Sequence, residues 1–202
     1  EFRTPSFRPY LLNQPELNKK VLKTQPMDFP KSDRIGVGLR PLLGNSVFLT
    51  NGAEWQRQRR IIDPAFQNIG IRQAFPAMRA AGLQSVARLH QHAGLKTPVE
   101  IKAETSHAAA DVIFRALFSI PIEDAIASAV FQEFRTFQRS QPILNLAAFV
   151  PMPKWIPRPF RRNTLASAAR IRKLIGQLVD SRAEQIAAGT APDDLATKIM
   201  TT

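Results

Sequence analysis

Trp55 and Arg59 stand four residues apart in the stretch "NGAEWQRQRRIIDPAFQ", residues 51–67, a run suited to a helix. Successive helical residues rotate by about 100°, so Gln58, Arg59 and Ile62 share the face of Trp55 while Arg57 and Arg60 point away. A guanidinium keeps its charge at any ordinary pH and is costly to bury unpaired, so Arg59 needs an anionic partner. One candidate is Asp63, one turn later, in a helix-surface pair worth about 0.2–0.5 kcal/mol. The other is an anionic ligand set between the indole N–H and the guanidinium fork, which satisfies both donors at once. Spacing alone leaves the two open.

Other chemistry is thinner. His90 and His92 are two apart on an expected helix and face different sides, and His107 has no partner at ligand spacing. They are expected to be surface or satisfied histidines, because a metal site needs several convergent ligands. The "GVG" at 36–38 lacks the third glycine and the strand–turn–helix setting of a dinucleotide site. There is no phosphate-binding P-loop and no G-x-S-x-G elbow. With no cysteine, the chain has no thiolate nucleophile or thiolate metal ligand and forms no disulfide. It carries no complete active site.

The elements that must position Trp55 and Arg59 are mostly helical. "FRPYLLNQPELNKKVLKT" suggests a short strand, a turn and a helix with Asn13 as N-cap and Pro15 and Glu16 in the first turn. Residues 28–50, rich in glycine and proline, are expected to form a long connection. The helix bearing Trp55 should run from about Ala53 to near Pro64. A second, bent or started by Pro76, should end near Gly94. Residues 104–120 have apolar character on both sides and suit a central helix. Phe131, Phe134 and Phe137 form a stripe whose plainest reading is core packing. A proline-rich turn, "PMPKWIPRPF", leads to a long helix from about Arg161 to Ala188, closed by Gly189. Pro192, Asp193 and Asp194 open a last helix that has room for about two turns, which points to a piece of a longer protein. The fold class is therefore mainly α, with one or two short N-terminal β-strands.

The 202 residues are 44% hydrophobic, enough for a core and too apolar for disorder. The longest apolar stretch, at 143–153, is short and broken by Asn145 and prolines, so no membrane span is expected. The net charge is +12, from 28 basic and 16 acidic residues. From Phe134 to Val179 there is no acid, against nine Lys or Arg, among them Arg170, Arg172 and Lys173. Such a run admits an alternative function, a basic helical binding module for nucleic acid or an anionic membrane. It also admits a plainer account, in which the balancing acids lie in sequence outside these 202 residues.

"NGAEWQRQRRIIDPAF" resembles the C-helix motif of the cytochrome P-450 family, W-x-x-x-R followed by an arginine and a P-A-F ending. The resemblance implies that Trp55 and Arg59 contact a heme propionate, and it carries no other residue of the motif. It extends in the family's order. "LLNQPELNKKVL" is similar to the first strand and B helix, and "LGNSVFLTNGAEW" to the B–C loop, where Val47 and Phe48 take substrate-facing positions. "AAADVIFRALFS" is similar to the E helix, residues 123–188 to the F–G region over the active site, and "DDLATKIMTT" to the segment before the I helix.

The chain departs from the family in lacking the A-G-x-[DE]-T-[ST] segment, a K-helix E-x-x-R in context and the cysteine loop. The "EWQR" at 54–57 overlaps the C-helix motif and is a decoy. The axial thiolate of the heme therefore cannot come from these residues. The resemblance implies a single incomplete domain, the N-terminal and middle portion (helices B to G) of a soluble, cytoplasmic, bacterial-type heme-thiolate monooxygenase. Its cofactor is heme (iron protoporphyrin), and its partners are O₂, an apolar small-molecule substrate and a ferredoxin- or flavin-type electron donor. No nucleic acid partner is expected, and the chain alone is not expected to catalyse.

Overall fold

The computed structural model describes residues 8–66, 68–140 and 160–202, and these are helical wherever they are regular. The expected proline-rich turn and the apolar stretch at 143–153 lie outside the described residues. The described chain groups into two compact units, one of residues 1–59 and 139–166 and the other of residues 60–138 and 167–202.

In the first unit, helix α1 is Pro15–Lys19, with Gln14 rather than Asn13 in the capping position and no side-chain cap bond. Pro15 sits where its missing N–H costs nothing. A π-helical turn, Lys20–Thr24, continues it. The expected N-terminal strands are absent among the described residues. A strand is held by its neighbour's backbone, and residues 8–14 pair with no strand among the described residues; Tyr10 and Leu11 are largely exposed. The long connection expected over 28–50 is in fact interrupted by helix α2, Asp33–Leu43. Two glycines and Pro41 concealed it. Gly36 is buried, where a Cβ would come to 3.8 Å from Leu49 Cδ2, and Gly44, with φ of 54°, ends the helix through its N–H to Arg40 O at 2.9 Å.

Helix α3, Gly52–Ile62, starts in the first unit and carries Trp55 and Arg59. Its residues are good helix formers, and Glu54 in the first turn suits the positive helix end. A 3₁₀ turn, Asp63–Phe66, follows, with Ala65 buried.

The second unit holds the core. Helix α4, Asn68–Gly94, runs through Pro76, and helix α5, Ile101–Phe118, packs along it. Ser119 adopts the left-handed conformation at the end of α5, with φ of 58°. Helix α6, Ala125–Ser140, is capped by Asp124, whose Oδ1 accepts from the N–H groups of Ile126 and Ala127 at 2.9 and 3.2 Å. Of the phenylalanine stripe, Phe131 and Phe137 are buried as expected and Phe134 is 40% exposed. Steps of three drift about 60° each, so the three rings spread over about 120° of the helix rather than sharing one line. Helix α7, Arg162–Ala187, and helix α8, Leu195–Thr201, complete the chain, with α8 against α5. Ala81, Phe114, Ile122, Ala127, Ala168 and Ile171 are buried between them.

Candidate functional site

Trp55 is half-buried on α3, while Arg57, Arg59 and Arg60 are all exposed. Ile62 is half-buried too, so the shared face of Trp55 and Ile62 is only partly covered by the described residues. A further cation at this place is one that sequence reasoning missed. Lys31 Nζ lies over the Trp55 ring, 5.0 Å from its centroid, within cation–π range. Burial first, and the charge of Arg59 second, hold the Lys31 ammonium below its ordinary value.

Lys31 is fixed there by its own backbone. Asn51 Oδ1 accepts from Lys31 N at 2.8 Å, and Asn51 Nδ2 donates to Lys31 O at 3.1 Å. The side-chain amide thus pairs with both peptide groups of Lys31 as a neighbouring strand would. The ammonium donates to Thr50 O at 3.0 Å. Gly52 follows with φ of 61°, a conformation in which any Cβ is strained, and this turn brings Asn51 round to Lys31 at the head of α3. A cleft of about 160 Å³, lined by Leu22, Met27, Phe29, Lys31, Gly52 and Trp55, opens beside the ring.

Gln58 serves the preceding loop rather than the face on which its spacing put it. Its Oε1 accepts from Thr50 Oγ1 at 2.7 Å, and its Nε2 donates to Asn45 O at 2.6 Å. Thr50 is buried, and its hydroxyl also lies 3.1 Å from Ser46 O. These bonds pin both ends of the segment that carries Val47 and Phe48 onto α3. Val47 is half-buried and Phe48 is 67% exposed. No sequence signal distinguishes Gln58 from Gln56, because either amide suits an exposed helix; the loop geometry makes the difference.

His90 is exposed, but the Nδ1 of His107 is buried with no hydrogen-bond partner among the described residues, against the expectation of a satisfied ring. His92 Nδ1 shares a hydrogen bond with Thr97 Oγ1 at 2.8 Å, and His107 packs edge-on against Phe131 with ring centroids 5.5 Å apart. Among the described residues, no group of three His, Asp or Glu is placed to hold a metal. The acid-free run is partly balanced from just upstream. Glu133 Oε1 accepts from Arg170 Nε at 2.7 Å, which lowers the pKa of the carboxyl and raises that of the guanidinium. No helix among the described residues is long and apolar enough to cross a membrane.

A family profile described as Cytochrome P450 matches residues 8–202. The chain belongs to the cytochrome P-450 family, whose members are heme-thiolate oxidoreductases. The all-helical architecture agrees with the helical region of that fold. Among curated relatives, it is 26% identical over 180 residues to Cytochrome P450 6j1 of Blattella germanica, a match covering 85% of this chain and 36% of the relative. It is 27% identical over 192 residues to Cytochrome P450 72A15 of Arabidopsis thaliana, covering 89% and 34%. It is 25% identical over 162 residues to a cytokinin hydroxylase of Arabidopsis thaliana, covering 78% and 31%. The chain spans about a third of the length of these relatives. They come from an insect and a plant, which gives the bacterial-type expectation no support. The nucleic-acid or membrane-binding alternative is likewise unsupported.

Proposed function

We propose that these residues are the N-terminal and middle portion of a cytochrome P-450 monooxygenase domain, and that Trp55 and Arg59 hold a heme propionate. The observation that carries this reading is the W-x-x-x-R pair on one face of α3 within a chain matched to the family from residue 8 to residue 202. The donor types suit a group bearing carboxylates: the Lys31 ammonium lies over the Trp55 ring, and the Arg59 guanidinium is near enough for its charge to lower the Lys31 pKa. When bound, heme supplies the activation of O₂ for oxygen insertion into an apolar substrate.

The chain's own part is positional. Arg59 and Trp55 orient the cofactor's edge. Val47 and Phe48, on the loop that Gln58 and Thr50 hold against α3, face an apolar substrate. The large exposure of Phe48 supports a side chain awaiting an apolar partner. Exposed Arg57 and Arg60 are suited to an acidic ferredoxin- or flavin-type electron donor, whose docking they would steer. The cysteine ligand comes from sequence outside these residues.

The test is to express the encoding gene through its natural stop codon and record the ferrous-CO spectrum. A thiolate-type Soret band is expected from the full-length product, and heme should leave Arg59→Ala to an acceptor protein faster than Arg60→Ala. A hydrogen bond to a charged group is worth about 1.5–3 kcal/mol, which sets a loss of one to two decades in affinity. Equal heme loss in the two variants removes Arg59 from the cofactor site.

A further inference from the structure

We propose that the outward face of α7 pairs with the same face of a second copy of this chain, in antiparallel register, through Lys173 and Asp180. Arg172, Lys173, Asp180 and Glu184 all lie exposed on this stretch of the helix. At about 100° per residue, Lys173, Asp180 and Glu184 fall within about 40° of one another, with Arg172 on the flank. Among the described residues none of these four has an ion-pair partner. The other two cations of the stretch are matched, Arg170 by Glu133 at 2.7 Å and Arg182 by Asp194 at 2.9 Å.

The helix itself gains nothing from this pattern. The positions three and four residues from each of the four charges hold no opposite charge, so no pair forms along the helix. Asp180 and Glu184 are like charges one turn apart, and Glu184 stands in the last turn, where the helix dipole favours cations. A second copy supplies what the helix lacks. A parallel partner would set like against like, whereas a two-fold axis beside Gly176 and Gln177 sets Lys173 of each copy opposite Asp180 of the other. The two contacts then lie about 10.5 Å apart along the helix, and Glu184 falls on the basic side of the partner. At Gly176 an added Cβ would meet no atom within 4 Å, so the centre of the face leaves room for a second backbone to come close. One pair of helices is a small interface, and the dimer is expected to be weak.

The test is sedimentation equilibrium on the full-length product of the encoding gene, at rising protein concentration and at low and high salt. The unaltered protein is expected to dimerise, and added salt to weaken the dimer. Lys173→Glu and Asp180→Lys each put like charges together at both contacts, so each alone should weaken self-association at least about tenfold. An equimolar mixture of the two variants should restore it, because every contact of the mixed dimer again joins an acid to a base. Far-ultraviolet circular dichroism checks that both variants fold, and the salt arm is read on the unaltered protein, so a folding defect in a variant does not decide the matter. A monomer at every concentration, a dimer indifferent to salt, or a mixture that associates no better than either variant overturns the proposal. A monomer whose variants also unfold early assigns this face to the remainder of the domain, and overturns it too.

Discussion

Arg182 and Asp194 form an ion pair at 2.9 Å with both side chains about 95% buried, their exposures being 5% and 4%. The same guanidinium donates to Phe118 O at 2.7 Å and to Thr197 Oγ1 at 3.1 Å, while Ser119 Oγ donates to Asp194 Oδ2 at 2.8 Å. Asp194 Oδ1 caps α8 by accepting from Thr197 N at 3.0 Å. The end of α5, the body of α7 and the head of α8 thus meet at one carboxylate. Asp194→Ala leaves a buried guanidinium without its counter-charge and is expected to cost about 3–5 kcal/mol in urea unfolding. A cost below about 1 kcal/mol would mean water takes over the pair.

The link between α4 and α5 gives a pH signature. Glu104 Oε1 accepts from Arg88 Nη2 at 2.8 Å, Arg88 Nε at 2.9 Å and Ser85 Oγ at 2.9 Å. These bonds, the arginine's foremost, hold the Glu104 carboxyl below its ordinary value against the opposing effect of burial. A depressed pKa means that the unfolded state binds more protons in acid. The stabilisation is therefore complete above the ordinary glutamate range and is lost as pH falls through the folded-state value. Glu104→Gln should flatten the acid limb of thermal stability, read by melting curves from neutral pH downward. An acid limb identical to that of the unaltered chain would assign the effect to other carboxylates.

Gln58→Leu keeps the helix-forming character of α3 and removes both bonds to the preceding loop. Backbone amides of Ser46–Thr50 are expected to exchange about tenfold faster, the effect of losing about 1–1.5 kcal/mol of local hydrogen bonding. Exchange in α5 should not move. If the loop amides keep their protection, packing alone holds the Val47–Phe48 segment.

Gly52→Ala forces a Cβ into a left-handed turn at the head of α3 and should cost about 1–2 kcal/mol. Open space surrounds the position, so the penalty is one of backbone conformation and not of collision. Gly52→Asn, which tolerates the left-handed region better, should recover part of the loss in the same denaturation assay. Equal behaviour of the two variants would show that the turn relaxes.

The helices of the second unit were legible because their apolar periodicity and breakers agree: Asp194 and Gly189 start or stop elements where their chemistry predicts. Helix α2 was not, since glycine and proline content spoke for a loop and only its packing, with Gly36 close to Leu49, speaks for a helix. The N-terminal strands failed for the opposite reason. Their local pattern was right for an extended chain, but a strand exists only with a neighbour. At the site, the spacing of Trp55 and Arg59 was readable on one helix. Lys31, 24 residues before the tryptophan, was not, because its placement depends on a side-chain amide pairing with a backbone across a turn. Nothing in residue type or periodicity encodes that.

Asn51 and Gly52 together carry one more consequence, in time rather than in space. An asparagine followed by glycine is chemically perishable, because the unhindered glycine nitrogen can attack the side-chain carbonyl, close a succinimide ring and release ammonia. Here both ends of that amide are engaged by Lys31, so ring closure must wait until the two bonds open. Deamidation would leave a carboxylate where the amide donor stood and set a negative charge beside Lys31. The age of a preparation is thus written at this residue, and the rate of writing measures how often the turn lets go.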